Sequence, residues 1–169
     1  MSSPPPLTPL AAAALHVGAP ERILQVACGA GDGALFLARE FPTARVRGID
    51  ADAGLVAAAS RRVGLDPEGR VAFKPGGPRR IPYPDDNFDL VAVLDARPTP
   101  AELARVLRRG GHLILAATRG EATGSGVRSW ILSRGLRARG FETVAAERAG
   151  SGSFSVARLG GSDAALGRP

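Results

Sequence analysis

The stretch Ile23-Leu24-Gln25-Val26-Ala27-Cys28-Gly29-Ala30-Gly31-Asp32-Gly33 decides the fold. Residues 23–28 form a short, mostly apolar run, the pattern of a strand buried on both faces. The glycines behind it make a sharp turn in which side chains at Gly29 or Gly31 would fill the space a ligand needs beside the backbone. A helix is predicted over 34–41, stopped before Pro42, and a second strand over 45–50. This is one βαβ unit whose glycine-rich turn lies at the edge where open α/β sheets bind ligands. Asp50 ends the second strand 19 positions after Gly31, where a carboxylate can accept hydrogen bonds from both hydroxyls of a ribose.

The alternation continues on either side of this unit. Upstream, Thr8 and Pro9 predict the N-cap and first turn of a short helix that Gly18 and Pro20 end. Downstream, Asp52 caps a helix running to about Val63 with Gly64 behind it, and a third strand covers 71–74. Phe88–Leu94 is a near-continuous apolar run, as in a central parallel strand. Thr99-Pro100-Ala101-Glu102 predicts a capping box opening a helix that Arg109-Gly110-Gly111 breaks. A fifth strand over 113–117, a helix over Val127–Ala138, and a strand pair over 141–146 and 154–159 complete the pattern. Strands alternating with helices and closed by a hairpin predict an α/β fold with an open, largely parallel sheet and one antiparallel member. The domain is expected over 8–159, between a disordered Ser/Pro-rich stretch 1–7 and a flexible tail 160–169.

Composition narrows the function classes. At 169 residues and 44% apolar content the chain suffices for one α/β core and not for two. A lone cysteine, Cys28, excludes an intramolecular disulfide and has no metal-ligand spacing around it, so no metal and a reducing compartment are expected. No segment approaches the roughly 20 apolar residues that span a bilayer, and the N-terminus lacks the basic start of a signal peptide. These features predict a cytoplasmic protein. The net charge of +6 invites a nucleic-acid reading. Against it, Lys74 is the only lysine, the arginines are scattered, and 5% aromatic content leaves few platforms on which bases would stack. Solvated surface arginines and an anionic small-molecule substrate fit the excess better.

The residues of the glycine turn admit three readings. Gly29, Gly31 and Ala34 fit G-x-G-x-x-A, which a nicotinamide-dependent oxidoreductase would share. The turn can also be mere close packing of strand and helix. Asp32 favours a third reading, since it puts a carboxylate where a pyrophosphate would otherwise sit, and suits a cationic ligand without phosphate such as S-adenosylmethionine (SAM).

Four stretches taken together resemble the class I SAM-dependent methyltransferases, in the branch of ubiquinone and menaquinone biosynthesis. Residues 23–31 are similar to that superfamily's first motif, and Gly48-Ile49-Asp50-Ala51-Asp52 with Leu55 to its second. Ile81-Pro82-Tyr83-Pro84-Asp85-Asp86-Asn87-Phe88-Asp89 resembles the turn before the fourth strand, and residues 105–115 the helix end and fifth strand. The resemblance covers about residues 22–117. It implies a Rossmann-like, seven-stranded sheet with the last strand antiparallel and helices on both faces. It further implies SAM as cofactor, a small-molecule acceptor, and cofactor contacts from Gln25, Ala27, Gly29, Gly31, Asp50, Ala51 and Gly77. Two of these depart from the family pattern, which has an acid at the place of Gln25 and, at Gly77, an Asp that accepts from the adenine amine. The stretch 95–99 and the N-terminal helix are also short for the family. The resemblance therefore leaves open a cleft exposed to a bulky substrate, one completed in a homodimer, or a catalytically silent binding domain.

Asp95, ending the fourth strand, is the candidate catalytic base or orienting group. The alternative is that it simply begins the next turn. Removing Asp50 is expected to change stability little, since a cleft-edge carboxylate has few packing partners. His112 starts the fifth strand on the opposite edge and reads as structural, as do Trp130 at helical spacing with Val127 and Ile131, and Cys28 as a small buried filler.

Overall fold

Parallel strands joined by helices dominate the computed structural model, which describes residues 7–122 and 126–160. The order is α1 (Thr8–Ala14), β1 (Arg22–Val26), α2 (Asp32–Glu40), β2 (Arg45–Asp50), α3 (Ala53–Val63), β3 (Val71–Pro75) and β4 (Phe88–Leu94). Then follow α4 (Pro100–Val106), β5 (Leu107–Ala117), α5 (Val127–Ala138), β6 (Phe141–Ala149) and β7 (Gly152–Leu159). The tails expected to be disordered or flexible lie, apart from Leu7 and Gly160, outside the described residues.

Among the described residues, seven strands form one sheet in the order β3-β2-β1-β4-β5-β7-β6. The pairs β1–β2, β1–β4, β2–β3 and β4–β5 are parallel, and β7 runs antiparallel to both β5 and β6. The strand order reverses beside β1, which puts the topological switch point at the end of the glycine-bearing strand.

Alternation along the strands builds two core layers. Ile23, Val46, Leu90 and Ile114 face one way and pack with Leu10 of α1 and Leu37 of α2. Leu24, Ile49, Val91 and Leu113 face the other way and pack with Leu103 and Val106 of α4 and Leu136 of α5. Each large side chain so buried stabilises the fold by about 1.5–3 kcal/mol relative to exposure.

Several boundaries differ from those predicted, each for a local reason. Leu7, not Thr8, is the N-cap of α1, and no side chain caps it. Helix α2 starts at Asp32 rather than residue 34 because Gly31, left-handed at φ 95°, turns the chain directly into it. The capping box does not form: Thr99 makes no side-chain cap. Glu102 instead accepts from the Ile81 N–H at 2.7 Å and from Nε of Arg105 at 2.8 Å. Helix α4 ends at Val106, before the glycines, because the N–H groups of Asp86 and Asn87 occupy the carbonyls of Arg105 and Val106 at 2.9 and 2.8 Å. Strand β5 then begins at once, and its register against β4 shifts between Phe88 and Leu90.

Candidate functional site

Three residues in the turn after β1 have positive φ: Ala27 at 58°, Gly29 at 55° and Gly31 at 95°. For an alanine this is a strained conformation, costing of order 1 kcal/mol or more, and it persists because its surroundings fix it. The Cys28 N–H donates to the Ile49 carbonyl at 2.9 Å, tying the turn to β2. A Cβ at Gly29 would meet nothing within 4 Å, so the loop presents open space there. At Gly31 the space is taken from within: a Cβ would lie 3.1 Å from both Ala59 and Phe73.

Asp50 joins the motifs. One carboxylate oxygen accepts the Gly29 N–H at 2.9 Å, and the other accepts the Asp52 N–H at 2.9 Å. Each oxygen keeps a further lone-pair site for a ligand hydroxyl. The carboxylate thus has two backbone partners that the sequence did not indicate, and its removal is expected to affect stability as well as binding. Its own carbonyl takes the Gly76 N–H at 3.0 Å, which draws in the segment containing Gly77. Gly77 bridges Arg80, has no left-handed φ, and leaves its Cβ position empty to 4 Å. Ala51 is exposed at the lip.

Gln25 lies elsewhere, buried at 1% exposure beneath the first turn of α2. Its amide fills the room that Gly33 leaves, since a Cβ at Gly33 would collide with it. Its Oε1 has no hydrogen-bond partner among the described residues. A buried acceptor left so is costly, and it suits a donor brought in by water or ligand. Arg62 holds the other side of the turn, donating to Asp32 at 2.6 Å and to the Ala30 carbonyl at 2.9 Å. That pairing offsets the Asp32 charge, so its case against a pyrophosphate is weaker than the sequence implied.

Asp95, at φ 52°, ends β4 next to the glycine strand. It is exposed, yet both its oxygens are engaged: one accepts the Thr118 N–H at 2.8 Å and the other the Thr118 hydroxyl at 2.9 Å. The pair stitches the ends of β4 and β5. Thr118 was not singled out from the sequence, although Leu94 pairs with Ala116, so the two strand ends meet in register.

Burial, with a smaller contribution from the Asp50 charge, pushes the Cys28 thiol up to about 11. It is a neutral filler, not a nucleophile. Burial likewise raises Tyr83, whose ring carries the Lys74 ammonium at 3.9 Å and meets Phe88 edge-on at 5.0 Å. His112 is lowered by burial and then by Arg158. Among the described residues no cluster of three or more His, Cys, Asp or Glu could hold a metal ion, and no helix is long and apolar enough to cross a membrane.

The geometry thus gathers Gly29, Gly31, Asp50 and the Gly77 segment around the carboxyl ends of β1 to β3, with Asp95 beside them at the end of β4. The family described as a methyltransferase domain matches residues 23–111, more than half of the sequence. The chain belongs to that family, the SAM-dependent methyltransferases. It is 36% identical over 103 residues to the ubiquinone/menaquinone biosynthesis C-methyltransferase UbiE of Geobacter sulfurreducens, covering 56% of this chain and 40% of that protein. The chain spans about two-fifths of the length of the first curated relatives it matches. Among solved structures it resembles a SAM dependent methyltransferase from Aquifex aeolicus, with a TM-score of 0.69 at 20% identity over 89% of each chain. It also resembles the [4+2]-cyclase SpnF, with a TM-score of 0.68 at 21% identity over 89% of this chain and 81% of that one. These structural likenesses speak to the fold alone.

The residues present fit SAM. An open glycine turn and a carboxylate with spare lone pairs suit such a ligand, the unpartnered Gln25 amide oxygen can accept a donor from it, and the open space at Gly77 leaves room without supplying a contact.

Proposed function

We propose that the chain binds SAM at the carboxyl ends of β1 to β3 and transfers its methyl group to a small-molecule acceptor held beyond β4. The observation that carries this reading is Asp50, which fastens the left-handed glycine turn while keeping acceptor capacity for a ribose. Bound there, SAM supplies an electrophilic methyl on a sulfonium, whose C–S bond breaks as the acceptor's bond to carbon forms, leaving neutral S-adenosylhomocysteine. The chain's own part is to orient. In-line displacement needs donor and acceptor collinear and close, and no general base unless the acceptor arrives protonated. Gly29 lets the backbone approach the ligand, Gly31 turns the chain beside it into α2, Ala27 and Ala51 flank it, and Gln25 offers an acceptor from below. Gly77 leaves the adenine amine without the acid usual in the family.

Asp95 enters this reading as an orienting group rather than a base. Its two bonds to Thr118 hold the carboxylate in a fixed orientation and leave lone pairs for an acceptor's donor groups. The quinone-directed activity named for the relative supports a small organic acceptor. A cytoplasmic location and a homodimer belong to the same proposal, in which the partner is a small molecule rather than nucleic acid.

A second reading, a binding domain without turnover, is favoured by Gln25 and Gly77 standing in place of acids. Thermal denaturation tests the first step. SAM or S-adenosylhomocysteine should raise the midpoint while NAD and NADP do not, because a ligand of the folded state alone stabilises it by mass action. A shift with NAD alone would sink the methyltransferase reading. A shift with SAM but no methyl transfer across a panel of quinols, fatty acids and phenols would favour the silent domain.

A further inference from the structure

Between α5 and the loop that joins β4 to α4 lies an apolar groove of about 470 Å³. Small-molecule sites run from roughly 300 to 1,000 Å³, mostly apolar with a few placed polar groups. Pro98, Pro100, Ile131 and Leu132 supply the apolar wall. Gly135 lets the helix come close, since a Cβ there would stand 3.3 Å from the Pro100 ring. Ile131 is left 58% exposed. Two cations, Arg97 and Arg128, also line the groove, and neither forms a hydrogen bond or ion pair with a described residue. Ala96, also in the wall, directly follows Asp95, so the groove opens beside the ligand-binding edge.

We propose that this groove binds a single-chain amphiphilic anion, its apolar tail against Ile131 and Leu132 and its carboxylate or phosphate head on Arg97 and Arg128. Planar guanidinium groups match such heads bidentately, and two that have no ion pair among the described residues, beside an apolar wall, select a ligand that is greasy and negative at once. A cationic or neutral head on the same tail gains nothing from them. The inference names the class of methyl acceptor, and in that respect alone it rests on the methyl-transfer reading.

The test uses the full chain, with dodecanoate, dodecyl phosphate and dodecyltrimethylammonium, each below its micellar concentration. Calorimetric titration is paired with fluorescence of Trp130, the one tryptophan, which sits on α5. The anions should saturate and shift the emission, and the cation should do neither. Arg97→Ala with Arg128→Ala should weaken anion binding by about tenfold or more, and Arg97→Lys with Arg128→Lys should restore part of it. Circular dichroism and the unfolding midpoint check that both variants are folded. The ratio of the two anion affinities identifies the preferred head. No saturable anion binding, equal binding of the cation, or unchanged affinity in the alanine double variant overturns the groove. A dimer by light scattering that dissociates on Ile131→Glu, without anion binding, would give the groove to a second copy and equally overturn it. Titration with SAM is run separately. Its failure alongside intact anion binding removes the methyl-transfer reading and leaves the groove.

Discussion

Helices α2 and α5 show how unevenly this molecule is held together. The nine residues of α2 bury Gly33, Ala34, Leu37 and Ala38, whereas the twelve of α5 bury Leu136 alone. The strands beneath them explain the difference. Helix α2 covers β1 and β2, well inside the sheet, and α5 packs on β6, an edge strand exposed along most of its length. A helix gains stability from the apolar area its stripe removes from water, so the cofactor side is tightly determined and the far side loosely so. Local opening should therefore begin at α5 and reach β1 last.

Core truncation should expose the contrast most sharply. Leu37→Ala empties a fully buried position on α2 and should cost about 3 kcal/mol, while Ile131→Ala on α5 should stay within about 0.5 kcal/mol. Urea denaturation of the two variants measures both, and comparable losses would mean that α5 is better seated than its burial implies.

Asp50→Ala should come next, with a double effect. Leaving the part-buried Gly29 N–H without its acceptor should cost about 1 kcal/mol of stability, while water replaces the partner of the exposed Asp52 N–H. Affinity for SAM should fall by about tenfold or more in calorimetry, corresponding to about 1.4 kcal/mol. Lost stability with unchanged affinity would make Asp50 a fastener and nothing else.

The Glu102–Arg105 cluster sharpens the comparison through pH. Hydrogen bonding from Arg105 is the main cause that lowers Glu102 from 4.5 to about 2. Its folded-state value lies below the unfolded one, so the stability it contributes is present above pH 4.5 and is lost as the pH falls towards 2. Glu102→Gln should flatten the decline in urea midpoint between pH 5 and 3. An identical decline in both proteins would show that other carboxylates control it.

The smallest effect expected is at Gly77. Gly77→Asp meets open space and no left-handed backbone, so stability should hold. A restored bond to the adenine amine should tighten SAM several-fold, by about 1 kcal/mol. Weaker binding in the folded variant would mean that the adenine is held otherwise.

How much of this was legible beforehand depends on the range of the interactions. Helix α3 starts and ends where Asp52 and Gly64 indicate, because the Asp52 carboxylate accepts from Gly54 and Leu55 at 2.8 and 3.2 Å within the first turn and Gly64 takes a positive φ of 65° behind the last. Helix α4 did not follow its local signals. The local sequence makes Glu102 part of a capping box, but Arg105 and the distant Ile81 N–H compete for it more strongly, and Asp86 and Asn87 close the helix early from about twenty residues away. The site divides in the same way. The glycines and Asp50 could be placed from spacing alone, while the bonds that commit Asp50 to Gly29 and Asp95 to Thr118 required the strand register. The groove beside α5 had no signature, since it arises from proline and glycine meeting across two helices.

The antiparallel strand β7 lies between β5 and β6 although it follows both in the chain. During synthesis, then, β6 emerges with no place to pair: the sheet edge it will flank does not yet exist. It must wait for β7, fold with it as a hairpin through Gly150 and Ser151, and enter the sheet as one piece. The parallel portion through β5 has all its strands by residue 117 and can assemble while the rest is still being made. Until the hairpin docks, the free edge of β5 stays open to pairing with another chain, so the nascent protein is most exposed to aggregation in that interval.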